Sequence, residues 1–176
     1  MIARRSARLG LFSLPTSGAP GQPPLMRIAV CSDEPTPVHA VVRALLQERG
    51  HEVVPFGAIA DGKDAPWADV AESAALAVAS GRCDEGIFFC WTGTGISIAA
   101  NKVPGIRAAL CVDPGTAAGA RVWNHANVLC LSNRLLSSDM AREILQAWLD
   151  TPPGDKGAEG VARLREVEAR HLVAAR

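Results

Sequence analysis

The chain alternates short, nearly continuous apolar runs with longer segments whose apolar positions recur every three to four residues. Runs of the first kind at residues 26–31, 51–56, 84–90, 106–112 and 127–131 predict five strands. Segments of the second kind predict helices over 38–50, closing at Gly50, over 66–80 with Pro66 in the first turn, over 114–123 and over 138–150. Another helix opens at 96–102, and a last one, rich in Arg and Glu, covers 161–173 after a Thr-Pro-Pro-Gly break. Residues 57–65 read as a polar loop with Asp61-Gly62 turn chemistry. Strands and helices alternate throughout, and the strands show no in–out pattern. That combination predicts an α/β, doubly wound (Rossmann-like) fold: a five-stranded parallel sheet with helices on both faces and an extra C-terminal helix. The last helix offers either a partner-facing surface or a solvated face.

Residues 1–25 differ from the rest. Arg4, Arg5 and Arg8 precede a short Leu-Phe-Ser-Leu patch and a Pro/Gly-rich run. The patch is too short for a signal-peptide core, so the expectation is a disordered extension before a single domain over 26–176.

Composition narrows the function classes. With 48% hydrophobic and 20% charged residues, the chain reads as an ordinary globular protein. A formal net charge of zero argues against nucleic-acid binding by bulk electrostatics. No apolar run approaches the roughly 20 residues of a membrane helix. The five cysteines are odd in number and form no CxxC pair, which disfavours a disulfide framework or zinc ribbon and favours reduced thiols in the cytoplasm.

The chemistry gathers at Cys90-Trp91-Thr92-Gly93-Thr94-Gly95. A strand runs into a cysteine, a glycine-flanked turn follows, and a helix begins. Open α/β sheets bind ligands at the carboxyl ends of their strands. Free backbone amides at such a turn attract anions, and helix N-termini favour thiolates over thiols. Cys90 is therefore a candidate base or nucleophile, against the alternative of a packed strand-end cysteine. The glycine pair has neither dinucleotide-fold spacing nor a P-loop lysine, so nucleotide binding is the weaker reading.

Asp33 ends the first strand and shares the predicted crevice, unless it or Ser32 serves only as a helix cap. Trp123, Asn124, His125 and Asn127 cluster at the end of the 114–123 helix. They offer a stacking surface, amides for sugar hydroxyls and a proton carrier, or else only a helix C-cap. Arg107, Arg134 and Arg163 are candidate anion contacts.

With these residues assembled, the chain resembles the ribose-5-phosphate isomerase B / galactose-6-phosphate isomerase family. The family's Cys-x-Thr-Gly-x-Gly-x-Ser-Ile-Ala-Ala-Asn-Lys segment stands here as residues 90–102, followed by Gly-Ile-Arg-Ala at 105–108. The resemblance implies aldose–ketose isomerisation through an enediolate, without metal or organic cofactor, in a homodimer or dimer of dimers with interface active sites. It implies Cys90 as the base, Thr92 as an aid to proton transfer, and the amides of Gly93, Thr94 and Gly95 as the anion hole. Asp33 and Asn124 become substrate contacts, and Arg134 and Arg163 anion contacts; Ser97, inside the matched segment, and His125, beside Asn124, join them as expected substrate contacts.

Several positions depart from the family pattern. Glu34 stands where a histidine usually follows the aspartate. Trp123 stands at the ring-opening histidine, with His125 displaced. Ala65 replaces a tyrosine, Glu159 a phosphate-binding arginine, and Trp91 a frequent glycine. Carboxylates repel a phosphate, by roughly 1–4 kcal/mol per pair of unit charges about 4 Å apart. Trp91 and Trp123 narrow the pocket and offer stacking surfaces. The chemistry at Cys90 is thus expected to persist, with ring opening and phosphate recognition altered: a shorter sugar phosphate that needs no ring opening suits this, as does a differently oriented or an unphosphorylated substrate. The alternative is a non-catalytic sugar or phosphate binder, or one subunit of a two-chain isomerase.

Overall fold

In the computed structural model, which describes residues 25–173, five parallel strands form one sheet in the order β2-β1-β3-β5-β4. They are β1 (Arg27–Ser32), β2 (Glu52–Gly57), β3 (Glu85–Cys90), β4 (Ala108–Leu110) and β5 (Val128–Ser132). The helices are α1 (Val38–Glu48), α2 (Ala58–Asp61), α3 (Trp67–Ala79), α4 (Thr94–Ala100), α5 (Pro114–Asn124), α6 (Ser138–Asp150) and α7 (Ala158–Val173). The expected N-terminal extension, apart from Leu25, lies outside the described residues.

The central strands are buried on both faces, which is why they read as unbroken apolar runs. Alternate side chains feed two cores. One side chain set, including Val30, Ile87, Phe89 and Leu129, packs against α1, α5 and α6 around Trp148. The other, including Ala29, Cys31, Phe88, Cys90 and Cys130, packs against the small residues of α3 and against α4. All five cysteines are buried and unpaired, so the first four thiols one would count besides Cys90 serve as small core residues.

Element ends follow local chemistry. Asp113 caps α5 by accepting from the Thr116 amide at 2.8 Å, with Pro114 in the first turn, and Ser137 caps α6 through the Met140 amide at 3.2 Å. The predicted loop at 57–65 contains the short helix α2, closed by Gly62 in the left-handed region. The fourth strand is shorter than predicted. Its leading amides are taken by side chains, Arg107 by Asn127 Oδ1 and Ala108 by Asn101 Oδ1, each at 2.8 Å. α4 begins two residues earlier than predicted because Gly93, at φ 75°, turns the chain into it.

The chain leaves β1 toward one edge of the sheet and leaves β3 toward the other. This topological switch point opens a crevice between the carboxyl ends of β1 and β3, where Asp33 and Cys90 sit.

Candidate active site

Cys90 is the last residue of β3, paired with Ser132 of β5 and only 5% exposed. Its carbonyl accepts from the amides of Gly93 (3.2 Å) and Asn133 (3.0 Å). The Trp91 carbonyl accepts from the Ser132 hydroxyl (2.9 Å) and the Arg134 amide (3.1 Å). The reactive strand end is thus tied down from the β5 side, and Arg134 is carried to the same rim.

The turn after Cys90 depends on glycine. A Cβ on Gly93 would lie 2.5 Å from Leu110 Cδ1 and 3.0 Å from the Leu131 carbonyl carbon, on top of its left-handed backbone. The Thr92 and Thr94 hydroxyls are 2.5 Å apart, and the Thr94 amide points to Thr92 Oγ1 at 3.4 Å. Ser97 donates its hydroxyl to the Thr94 carbonyl at 2.9 Å. The Gly95 and Ile96 amides open α4 with no acceptor among the described residues, as first-turn amides do.

On the β1 side, Asp33 has one carboxylate oxygen buried without a hydrogen-bond partner. Burial pushes its carboxyl up, and the negative charges of Glu34 and Asp64 push in the same direction. Its carbonyl accepts from the Ala65 amide at 2.8 Å, which brings the 65–67 segment over the crevice. Three carboxylates, those of Asp33, Glu34 and Asp64, therefore gather at this end of β1.

Two residues beneath the site carried no signal in the sequence. His39 is buried against Phe89, with ring centroids 4.7 Å apart. Its Nδ1 accepts from the Thr36 amide at 3.2 Å, so Nε2 bears the proton and donates to Asn133 Oδ1 at 3.0 Å. The Asn133 side-chain amide then donates to Ser32 Oγ (3.2 Å) and Glu34 Oε1 (3.3 Å). Burial lowers the His39 pKa and keeps the ring neutral. Only the three-dimensional meeting of β1, α1 and the segment after β5 marks these residues.

The remaining candidates lie elsewhere. α5 runs back down the sheet, so Trp123, Asn124 and His125 sit at the amino ends of the strands, where the Asn127 carbonyl meets the Gly86 amide. Gly86 and Cys90 are separated by four residue steps along β3, roughly 13 Å. His125 closes α5 at φ 45° and donates Nε2–H to the Gly154 carbonyl at 2.7 Å, while its own carbonyl accepts from Arg107 Nε at 2.8 Å. Trp123 is 56% exposed, with Lys156 Nζ 5.8 Å from its ring centroid. Arg163 pairs with Glu166 on the α7 surface at 2.5 Å, and Glu159 stands at the start of the same helix. Within one copy, then, Asp33, Cys90, Trp91, Thr92, Gly93, Thr94, Gly95, Ser97 and Arg134 share a rim; Trp123, Asn124, His125 and Arg163 do not join them.

Among the described residues no group of three or more His, Cys, Asp or Glu side chains is arranged to hold a metal ion. No helix there is long and apolar enough to cross a membrane.

The family model for ribose/galactose isomerases matches residues 28–167. The chain belongs to that family. Ribose-5-phosphate isomerase B of Escherichia coli is 40% identical over 133 residues, which cover 75% of this chain and 88% of that protein. D-erythrulose-4-phosphate isomerase of Pectobacterium atrosepticum is 42% identical over 105 residues, or 60% of this chain and 69% of its own. Among solved structures, ribose-5-phosphate isomerase B of Clostridium thermocellum superposes with a TM-score of 0.77 at 39% identity, covering 83% of this chain and 99% of that one. The fold and the family expected from the sequence both hold.

Proposed function

We propose that this family member is an aldose–ketose isomerase for an open-chain sugar phosphate, with Cys90 as the base. The observation that carries the reading is the placement of Cys90 at the β1/β3 switch point, beside the α4 amides and facing Asp33. As a thiolate, Cys90 takes the proton from the carbon next to the substrate carbonyl. The electron pair moves onto the carbonyl oxygen, and the resulting enediolate oxygen lies against the amides of Gly95 and Ile96; of the expected anion-hole amides, those of Gly93 and Thr94 already point to the Cys90 carbonyl and Thr92 Oγ1. Thr92, in a hydroxyl pair with Thr94, passes a proton between the two oxygens. The Cys90 thiol then returns its proton to the neighbouring carbon. Asp33 accepts from a substrate hydroxyl with its unpartnered oxygen. Arg134, carried by the end of β5, takes the phosphate, since the carboxylates of Glu34 and Asp64 gather around Asp33 at the end of β1.

A four-carbon substrate fits best. With its terminal oxygen phosphorylated, a four-carbon aldose has no hydroxyl able to close a five-membered ring, so it needs no ring-opening histidine. The position of that histidine here is Trp123. Relatives named for four-carbon substrates, the D-erythrulose-4-phosphate isomerases, support the same choice.

The working unit is a homodimer in which a second copy brings Trp123, Asn124, His125 and Arg163 to the Cys90 rim. Support comes from their separation from Cys90 within one copy. We read 26–176 as one isomerase domain, working in the cytoplasm, where five unpaired thiols stay reduced.

The separation of Asn124 and His125 from Cys90 also favours a second reading: a subunit that binds sugar phosphate but turns over only with a different partner chain. An NMR assay of the purified protein with D-erythrose 4-phosphate, D-ribose 5-phosphate and D-galactose 6-phosphate separates the two. Interconversion of the four-carbon pair by this chain alone supports the isomerase. Thermal stabilisation by these compounds without turnover of any of them supports the binder.

A further inference from the structure

Trp67 was not singled out by the sequence, yet it reaches the site. It is the first residue of α3, and the Ala65 amide bonded to the Asp33 carbonyl at 2.8 Å holds its segment over the crevice. Its indole lies on Gly95. A Cβ built there would come within 3.2 Å of ring atoms Cδ2 and Cε3 and within 3.5 Å of Cε2. Gly95 has no left-handed backbone that would require glycine. In this chain the room left by the missing side chain is taken by the aromatic ring. The ring is nevertheless 46% exposed, and the turn it meets is itself open, with Trp91, Thr92 and Thr94 exposed around the buried Gly93.

The two residues sit at the same edge of the sheet. α3 and α4 both begin above the carboxyl ends of the strands, and the Gly95 amide is one of those without an acceptor. The ring packs on the Cα side of Gly95, next to that amide, and an apolar ring so placed limits the approach of water, which strengthens a hydrogen bond to a developing oxyanion. It also slows exchange of a thiol proton with solvent.

We propose that Trp67 is the wall that shields the enediolate and the Cys90 thiol from water during proton transfer. This rests on the isomerase reading with Cys90 as base. The atoms balance within one turnover: the hydron leaves C2 of the aldose for Cys90 sulfur, the electron pair goes to the C1 oxygen, and the same hydron returns to C1 of the ketose. A hydron that exchanges with water while on sulfur is replaced by one from solvent.

The test uses full-length protein and D-erythrose 4-phosphate deuterated at C2, with NMR following both turnover and the deuterium at C1 of the product. Wild type is expected to deliver part of the label to C1. Trp67→Ala is expected to lose more of the label to water per turnover, with kcat lower by about tenfold and KM changed by less than about twofold. Trp67→Phe, which keeps an aromatic wall, is expected to restore both. If Trp67→Ala fails to fold, Trp67→His carries the same comparison. Equal label retention in wild type and the variant overturns the proposal, as does complete washout in wild type. If wild type isomerises none of the sugar phosphates tested, the underlying reading fails instead.

Discussion

The backbone amide of Asn133 donates to the carbonyl of Cys90 at 3.0 Å. The same residue's side chain accepts from His39 and donates to Ser32 and Glu34. One asparagine thereby links the reactive strand end, the β1 rim and a buried histidine. Asn133→Ala removes the side-chain spokes and keeps the backbone bond. The expected result is a loss of about 1–3 kcal/mol in urea unfolding, because His39 Nε2 keeps only the Thr36 hydroxyl at 3.1 Å and Ser32 and Glu34 lose a donor. Turnover should fall as well, by about tenfold to a hundredfold, if the β1 rim shifts relative to Cys90.

The tautomer of His39 gives a pH prediction. Its ring is buried and its pKa is lowered, so folded His39 stays neutral where the unfolded chain binds a proton. His51, also buried, is lowered for the same first reason, with Arg49 adding to it. Both groups cost nothing above the unfolded value near 6.5, and both subtract stability as pH falls below it toward their folded values. Asp33 and Glu85 act oppositely: their raised values subtract stability as pH climbs from about 4 through their folded values. These carboxyl contributions oppose the histidines' as pH falls from 7.5 to 5, so the His39 share is read as a difference: the thermal midpoint of His39→Gln minus that of wild type should rise as pH falls through that range.

At the opposite end of the sheet, Arg121 Nη2 pairs with Glu85 Oε1 at 2.6 Å, both groups about nine-tenths buried. Trp148 Nε1 donates to Glu85 Oε2 at 2.7 Å, and the guanidinium lies 4.8 Å from the Trp148 ring. Burial raises the Glu85 carboxyl, while Arg121 holds it down. Arg121→Met leaves that carboxylate buried without its cation, which costs about 3–5 kcal/mol. Glu85→Gln in the Arg121→Met background should recover part of the loss in urea unfolding, since it removes the uncompensated charge. Neither change touches the Cys90 rim, so kcat of the folded fraction should stay near wild type.

Gly93 carries the turn that presents the α4 amides. A methyl there meets Leu110 at 2.5 Å, a distance no real Cβ holds, and presses tightly on the Leu131 backbone at 3.0 Å, and the backbone is left-handed. Gly93→Ala should cost about 2 kcal/mol or more in stability and remove nearly all turnover. An active Gly93→Ala protein of normal stability would show that the turn is not built as described.

The architecture was legible in the sequence because its signals are local. Unbroken apolar runs mark strands covered on both faces, and Pro66, Pro114, Ser137 and Gly50 punctuate the helices as their backbone chemistry requires. Strand four was overextended because its edge position leaves amides free for Asn101 and Asn127 side chains, a tertiary choice. The Cys90 turn was legible as a motif, as were Asp33 and Arg134 at neighbouring strand ends. His39, Asn133 and Trp67 were not, since each reaches the site only through packing between distant segments. Trp123, Asn124, His125 and Arg163 were grouped with Cys90 by likeness to the family. The direction of α5 separates them from it within one copy, a matter of topology that residue spacing does not encode.

The dimer reading makes its own demand. Cys90→Ala and Asn124→Ala chains, each impaired alone, should regain activity when mixed and allowed to exchange subunits. One hybrid site would then combine an intact Cys90 rim with an intact Asn124. Recovery toward about a quarter of wild-type activity at a one-to-one mixture is the expectation for a site shared between two copies. No recovery, with exchange verified by mass, would place both residues in the same site.

Proton transfer by Cys90 is tested most directly by Cys90→Ala, followed by NMR with D-erythrose 4-phosphate alongside wild type, with thermal unfolding as the fold control. The expected result is a loss of about 10²–10⁴ in kcat with an unfolding midpoint close to wild type. Turnover at the wild-type rate by a folded Cys90→Ala protein would contradict the assignment of the base.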